Sequence, residues 1–126
     1  MVRISAEPIN PSEAYGLLGK NGAGSVVFHY AVVKADTGAG KVTACIEYRA
    51  DGDMEAELNR ISTDIQEKWN VEDVLLIRRV GCLGPGDIIS LVAASSPNSE
   101  DAFESCRYGI ARLKKMASVS KNEVFL

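Results

Sequence analysis

The stretch DIISLVAASSPNSEDAFESCRYGIARLKK, residues 87–115, decides the fold. Its first nine residues, 87–95, are almost wholly apolar, the composition of a strand covered on both faces. Pro97 follows that run. Asn98 or Ser99 can then cap a helix, and Glu100 and Asp101 suit the positive end of its dipole. Phe103, Cys106, Ile110, Leu113 and Ala117 recur at steps of three and four, so a helix is predicted over 99–117. A doubly covered strand running straight into an amphipathic helix calls for a layered domain.

The rest of the chain supplies the layers. Residues 2–6, VRISA, read as a first strand, and 10–20 as a short helix with Pro11 near its start. GSVVFHYAVV, 24–33, is β-branched and aromatic, hence a strand. DTGAG, 36–40, is a turn, after which KVTACIEYR, 41–49, is expected to pair with the preceding strand like a hairpin. Met54, Leu58, Ile61 and Ile65 mark one face of a helix over 53–69. VEDVLLIRRVG, 71–81, is a strand, LGPG, 83–86, a tight turn, and KNEVFL a possible last strand. The order βαββαββα(β) predicts one α+β domain over residues 1–126, with two long helices packed on a mostly antiparallel sheet.

Composition narrows the function. The 126 residues carry a net charge of −3 and 6% aromatics, which argues against a nucleic-acid-binding face. No apolar run is long enough to cross a bilayer, and MVRISAEPIN lacks the apolar core of a signal peptide. A cytoplasmic protein is expected, with no membrane partner. Cys45, Cys82 and Cys106 are widely spaced and read as three reduced thiols, which fits a reducing compartment. Together with the only histidine, His29, they do not supply the clustered ligands of a zinc site. His29 lies in a strand-like run whose alternation can simply point it outward.

The basic cluster RLKKMASVSKNE, 112–123, remains. On a helical projection Lys114 falls about 65° from the centre of the apolar stripe and Lys115 almost opposite it. Lys115 therefore suits solvent and the helix dipole. Lys114 has a flank position where the stem packs and the ammonium looks along the domain edge, a snorkelling lysine or an acid/base.

Residues 69–123 resemble the large, catalytic subunit of molybdopterin synthase. Trp69, Arg79, Gly81, Leu83, Gly86, Asp87, Ser96, Ala102, Phe103, Glu104, Leu113, Lys114, Lys121 and Glu123 fall in register without a gap, and GSVVFHYAVV is similar to that family's early strand. The resemblance implies an α/β hammerhead fold and a homodimer. It implies a partner too, a small ubiquitin-like protein whose C-terminal Gly-Gly carries a thiocarboxylate. Sulfur would pass from it to cyclic pyranopterin monophosphate in two rounds, giving molybdopterin within molybdenum cofactor biosynthesis, with no cofactor of the enzyme's own. Lys121 matches the lysine that assists sulfur transfer and Lys114 the substrate-side cation. Glu123, Phe28 and Arg79 match substrate-pocket residues. Ammonium groups suit this chemistry because substrate and thiocarboxylate are both anionic.

The chain departs from the family at several anion-binding positions. The family's His-Arg after the central strand is Asn98-Ser99, its strand arginine is Val33, a glycine is Tyr30 and a proline is Ser118. The chain ends at Leu126, where the family continues. Lys34, next to Val33, can compensate only if the backbone has left the strand, since a one-residue offset reverses the face. Arg78 and Lys41 are the other cations placed to fill in. The departures also fit a second reading, a catalytically impaired member of the fold that docks or assembles with a ubiquitin-like partner.

Overall fold

The computed structural model describes residues 1–35 and 40–126, so the turn expected over 36–40 lies almost wholly outside the described residues. The elements are β1 (Val2–Ser5), α1 (Pro11–Leu17), β2 (Ser25–Val32), β3 (Thr43–Ala50), α2 (Met54–Lys68), β4 (Asp73–Arg79), β5 (Gly81–Leu83), β6 (Ile88–Ser96), α3 (Ser99–Lys114) and β7 (Val119–Phe125). They form two sheets, one in the order β1-β4-β6-β2 and one in the order β5-β3-β7. Among the described residues only β1–β4 is parallel, and the remaining pairs are antiparallel. No helix among the described residues is long and apolar enough to cross a membrane.

The apolar run 87–95 does become a central strand. β6 is flanked by β4 and β2, and residues 91–96 are all buried. One face of this sheet, with Leu75, Ile77, Leu91 and Ala93, packs on α1 through Ala14 and on Leu18. The other, with Val74, Leu76 and Val92, packs on Leu58, Ile61 and Ile65 of α2 and on Cys106 and Leu113 of α3. Each helix is capped by an asparagine or aspartate. The Asn10 side chain accepts from the Ser12 N–H, Asp53 from Ala56 and Asn98 from Asp101.

Four expectations are corrected. β3 does not pair with β2: β2 runs along β6, while β3 lies between β5 and β7. The faces explain the separation. Val27 of β2 packs against the α2/α3 side and Phe28 and Tyr30 against the α1 side, so β2 suits a sheet covered twice. β3 buries Thr43, Ile46 and Tyr48 and leaves its last two residues exposed, the pattern of a sheet covered once. The expected strand 71–81 likewise divides after Arg79, and Gly81, at φ 115°, begins β5 in the second sheet.

The contact face of α3 also differs. Phe103 is 60% exposed and Ala117 lies beyond the helix end, whereas Ala102, Ser105, Cys106, Gly109 and Leu113 are buried. Small residues let the helix approach the sheet closely: a Cβ at Gly109 would lie 2.7 Å from Cγ1 of Val92. The fourth correction concerns the thiols. Cys45 of β3 and Cys82 of β5 form a disulfide, leaving Cys106 as the free cysteine. Burial pushes the Cys106 thiol up to about 11, the behaviour of a packing residue and not of a nucleophile. Cysteine usage therefore gives no support to a reducing compartment.

Candidate active site

The two sheets face each other across a cavity of about 560 Å³. β2, β4 and β6 contribute one wall, the C-terminal end of α3 a second, and β3 with β7 the third. The register of the small sheet explains what points inward. Tyr48 stands opposite Lys121 and Ile46 opposite Glu123, so all four share one face. Lys121 lines the large cavity, and Glu123 lines an adjoining one of about 350 Å³ that shares Lys34, Tyr48 and Lys121. The Glu123 carboxylate accepts a hydrogen bond from the Thr43 hydroxyl, which fixes it at the rim.

Lys114 arrives from a different direction. It is the last residue of α3, exposed, and lines the large cavity. The chain then turns through Met116 to β7, where Lys121 lines the same cavity. Glu57 of α2 holds that turn. The N–H of Ser118 donates to its Oε1 at 2.9 Å, the Ser118 hydroxyl to the same oxygen at 2.6 Å, and the Ala117 N–H to Oε2 at 3.0 Å. Burial tends to raise the Glu57 pKa, but these hydrogen bonds from Ser118 and Ala117 outweigh it and hold the carboxyl below its ordinary value.

β2 ends at Val32, and Val33 is buried in the small-sheet core. The backbone has thus left the strand before Lys34, and Lys34 lines both cavities. The N–H of Val33 donates to the Asp87 carbonyl, and the Gly86 N–H donates to that of Val33, so the β5–β6 turn fixes this exit. Arg78 lines the large cavity from β4, and its guanidinium lies 4.6 Å from the Tyr48 ring centroid. Burial raises the Tyr48 pKa, against the pull of the Arg78 charge and with that of Glu123. His29, Tyr30 and Ser90 complete the polar lining.

Lys114, Lys121 and Lys34 thus meet in one cavity, with Glu123 beside them. Phe28 and Arg79 do not join them. Phe28 faces the α1 side, stacked on Tyr15 at 5.7 Å, and Arg79 lies 3.8 Å from Asp87 without lining the cavity. Asn98 caps α3, its side chain accepting from the Asp101 N–H at 2.8 Å. Tyr48 was not anticipated as a site residue. The alternation Ile46–Tyr48 was the available signal, masked by the assignment of β3 to the wrong partner strand. Lys34, Arg78, Lys114 and Lys121 line one cavity, with no carboxylate lining its larger part among the described residues, a charge arrangement that suits an anionic ligand.

The family model described as MoaE protein matches residues 4–116, which include Lys114 but not Lys121 or Glu123. The molybdopterin synthase catalytic subunit of Bacillus subtilis is 31% identical over 123 residues, 97% of this chain and 78% of that one. The crystal structure of molybdopterin synthase from Staphylococcus aureus superposes with a TM-score of 0.90 at 32% identity, covering 98% of this chain and 90% of that one. A complex of subunits 1 and 2 of molybdopterin-converting factor from Helicobacter pylori gives 0.72 at 14% identity, over 98% and 84% of the two chains, a likeness of fold.

Proposed function

The chain belongs to the MoaE protein family, and on that premise we propose how its cavity does the work of a molybdopterin synthase catalytic subunit in molybdenum cofactor biosynthesis. Sulfur is taken from the C-terminal thiocarboxylate of a small ubiquitin-like subunit and passed, in two rounds, to cyclic pyranopterin monophosphate. The product is molybdopterin. The observation that carries this reading is the meeting of Lys114 and Lys121, from two different elements, in one cation-lined cavity.

Lys121 neutralises the thiocarboxylate while its sulfur bonds to the pterin, and then stabilises the oxyanion formed as water adds to the acyl carbon. The acyl C–S bond breaks, sulfur stays on the pterin and the small subunit leaves with a C-terminal carboxylate. Lys114 faces the pterin as counter-charge and proton donor or acceptor. Lys34 adds charge at the shared rim, and Glu123 orients that end of β7. Phe28 and Arg79 face the other side of the first sheet and take no part in this cavity. The whole chain, residues 1–126, acts as one domain in a cytoplasmic homodimer that carries the small subunits.

The second reading, a docking module without catalysis, draws on Asn98 and Val33. Asn98 is engaged in capping α3 and Val33 is buried, so neither offers charge to a substrate. Complementation separates the two. Purified chain added to an extract lacking its own catalytic subunit restores molybdopterin under the first reading. Binding of the small subunit without restored product supports the second and overturns the first.

A further inference from the structure

One cation of the cavity differs from the others. Lys34, Lys114 and Lys121 are exposed, and water can satisfy their ammonium groups. Arg78 retains only 8% of its surface. It ends a run of buried residues, Val74, Leu75, Leu76 and Ile77, in the middle of the first sheet. No carboxylate among the described residues pairs with it, although Arg79 has Asp87 and Arg112 has Asp64. Its Nε is buried and has no hydrogen-bond partner. What it does touch is the face of the Tyr48 ring, at 4.6 Å.

A guanidinium in this position is costly to the fold, because a buried ion is tolerated only when its donors are met. The ring face of Tyr48 attracts the charge but accepts no hydrogen bond in the plane of the guanidinium. The guanidinium is thereby held over the ring while Arg78 borders the open cavity, with Ser90 beside it on β6. A planar fork matches two oxygens of a phosphate at once, which an ammonium group does not.

We propose that Arg78 is the specificity-determining contact of the cavity, a two-pronged seat for a phosphate group, leaving the exposed lysines to the reacting end of the ligands. That the phosphate is the pterin's rests on the function proposed above; the phosphate site itself does not. Arg78 is the innermost of the four cations, so it takes the part of the ligand that enters first and does not react. A carboxylate-ended peptide tail, arriving from outside, meets Lys121 and Lys34 at the rim.

The test is titration of the full chain with inorganic phosphate, with cyclic pyranopterin monophosphate and with a peptide ending in Gly-Gly carboxylate. Wild type, Arg78→Met and Arg78→Lys are compared, and each is melted with and without phosphate. Arg78→Met is expected to weaken phosphate and pterin binding by about 10- to 100-fold and to leave peptide binding unchanged. It is expected to raise the melting temperature of the free chain, since an unmatched buried cation is removed, and to abolish the stabilisation by phosphate seen in wild type. Arg78→Lys keeps the charge but not the fork and regains only part of the affinity.

Unchanged phosphate affinity in a folded Arg78→Met chain overturns the proposal. So does a lower melting temperature of that variant without ligand, which marks a structural arginine. If Arg78→Met does not fold, Arg78→Lys decides, and wild-type phosphate affinity in it overturns the proposal as well. A chain that binds phosphate through Arg78 but makes no molybdopterin sinks the synthase reading and leaves this one standing. A working synthase whose KM for the pterin is unmoved by Arg78→Met does the reverse.

Discussion

Lys121 and Lys114 lie seven residues apart in sequence and reach one cavity from two different elements, Lys121 by its register opposite Tyr48 and Lys114 by its place at the end of α3. Their assigned roles separate kinetically. Lys121→Ala is expected to lower the single-turnover rate by about 10²- to 10⁴-fold, the usual weight of a proton-transferring group, with little change in affinity for the small subunit. Lys114→Ala is expected to weaken pterin binding as well, read as a rise in KM alongside the fall in rate. Equal and purely thermal effects of both changes would point to structural lysines. Both lysines stood out in the sequence because they fall in an ungapped resemblance, and both line the one cavity. Arg78 was visible only as one of three cations able to fill in. Its burial beneath Tyr48 depends on a contact between two sheets, which no local pattern encodes. Phe28 was expected in the pocket from the resemblance alone; it packs on the α1 side and does not line this cavity.

At the scale of elements, helices were read well and strand partners were not. The α2 stripe Met54, Leu58, Ile61 and Ile65 is buried throughout. For α3 the apolar reading chose Phe103, while the true contact face follows Gly109 and its small neighbours, because close approach to β6 rewards small size over apolarity. The disulfide was missed because Cys45 and Cys82 are 37 residues apart and become neighbours only once β3 and β5 pair. Closing a loop of that length stabilises a chain by up to about 4 kcal/mol through the unfolded state. Treatment with a reductant, or Cys82→Ser, is expected to lower the melting temperature by several degrees; no shift on calorimetry would show that the bridge contributes nothing. The turn before β7 rests on Glu57, whose folded pKa lies below the ordinary 4.5. A depressed carboxyl stabilises the fold above that value, and the contribution fades as pH falls through the folded pKa. Glu57→Gln is therefore expected to cost about 1 kcal/mol at neutral pH, allowing for solvent screening at this partly exposed side chain. In acid unfolding followed by circular dichroism, the gap between variant and wild type is expected to close below pH 4.5, and a gap that persists there contradicts the assignment.

For the whole molecule, the α+β class and the order of elements followed from periodicity, but the division into two sheets did not. That division makes the site: one sheet covered by helices on both faces, one covered once, and a cavity where they meet. The proposed assembly is a homodimer, and sedimentation is expected to give twice the mass of one chain, rising further when the small subunit is added. A monomer that still makes product would show the cavity to be complete within one chain.

The most direct measurement is a single turnover. Purified chain is mixed with a thiocarboxylated small subunit and cyclic pyranopterin monophosphate, and molybdopterin is quantified as its fluorescent oxidation product, with Lys121→Ala run in parallel. Product from wild type that falls away in the variant, while the small subunit stays bound to both, is the expected result. Absence of product from wild type with the small subunit bound would contradict the account and leave the fold as a docking module.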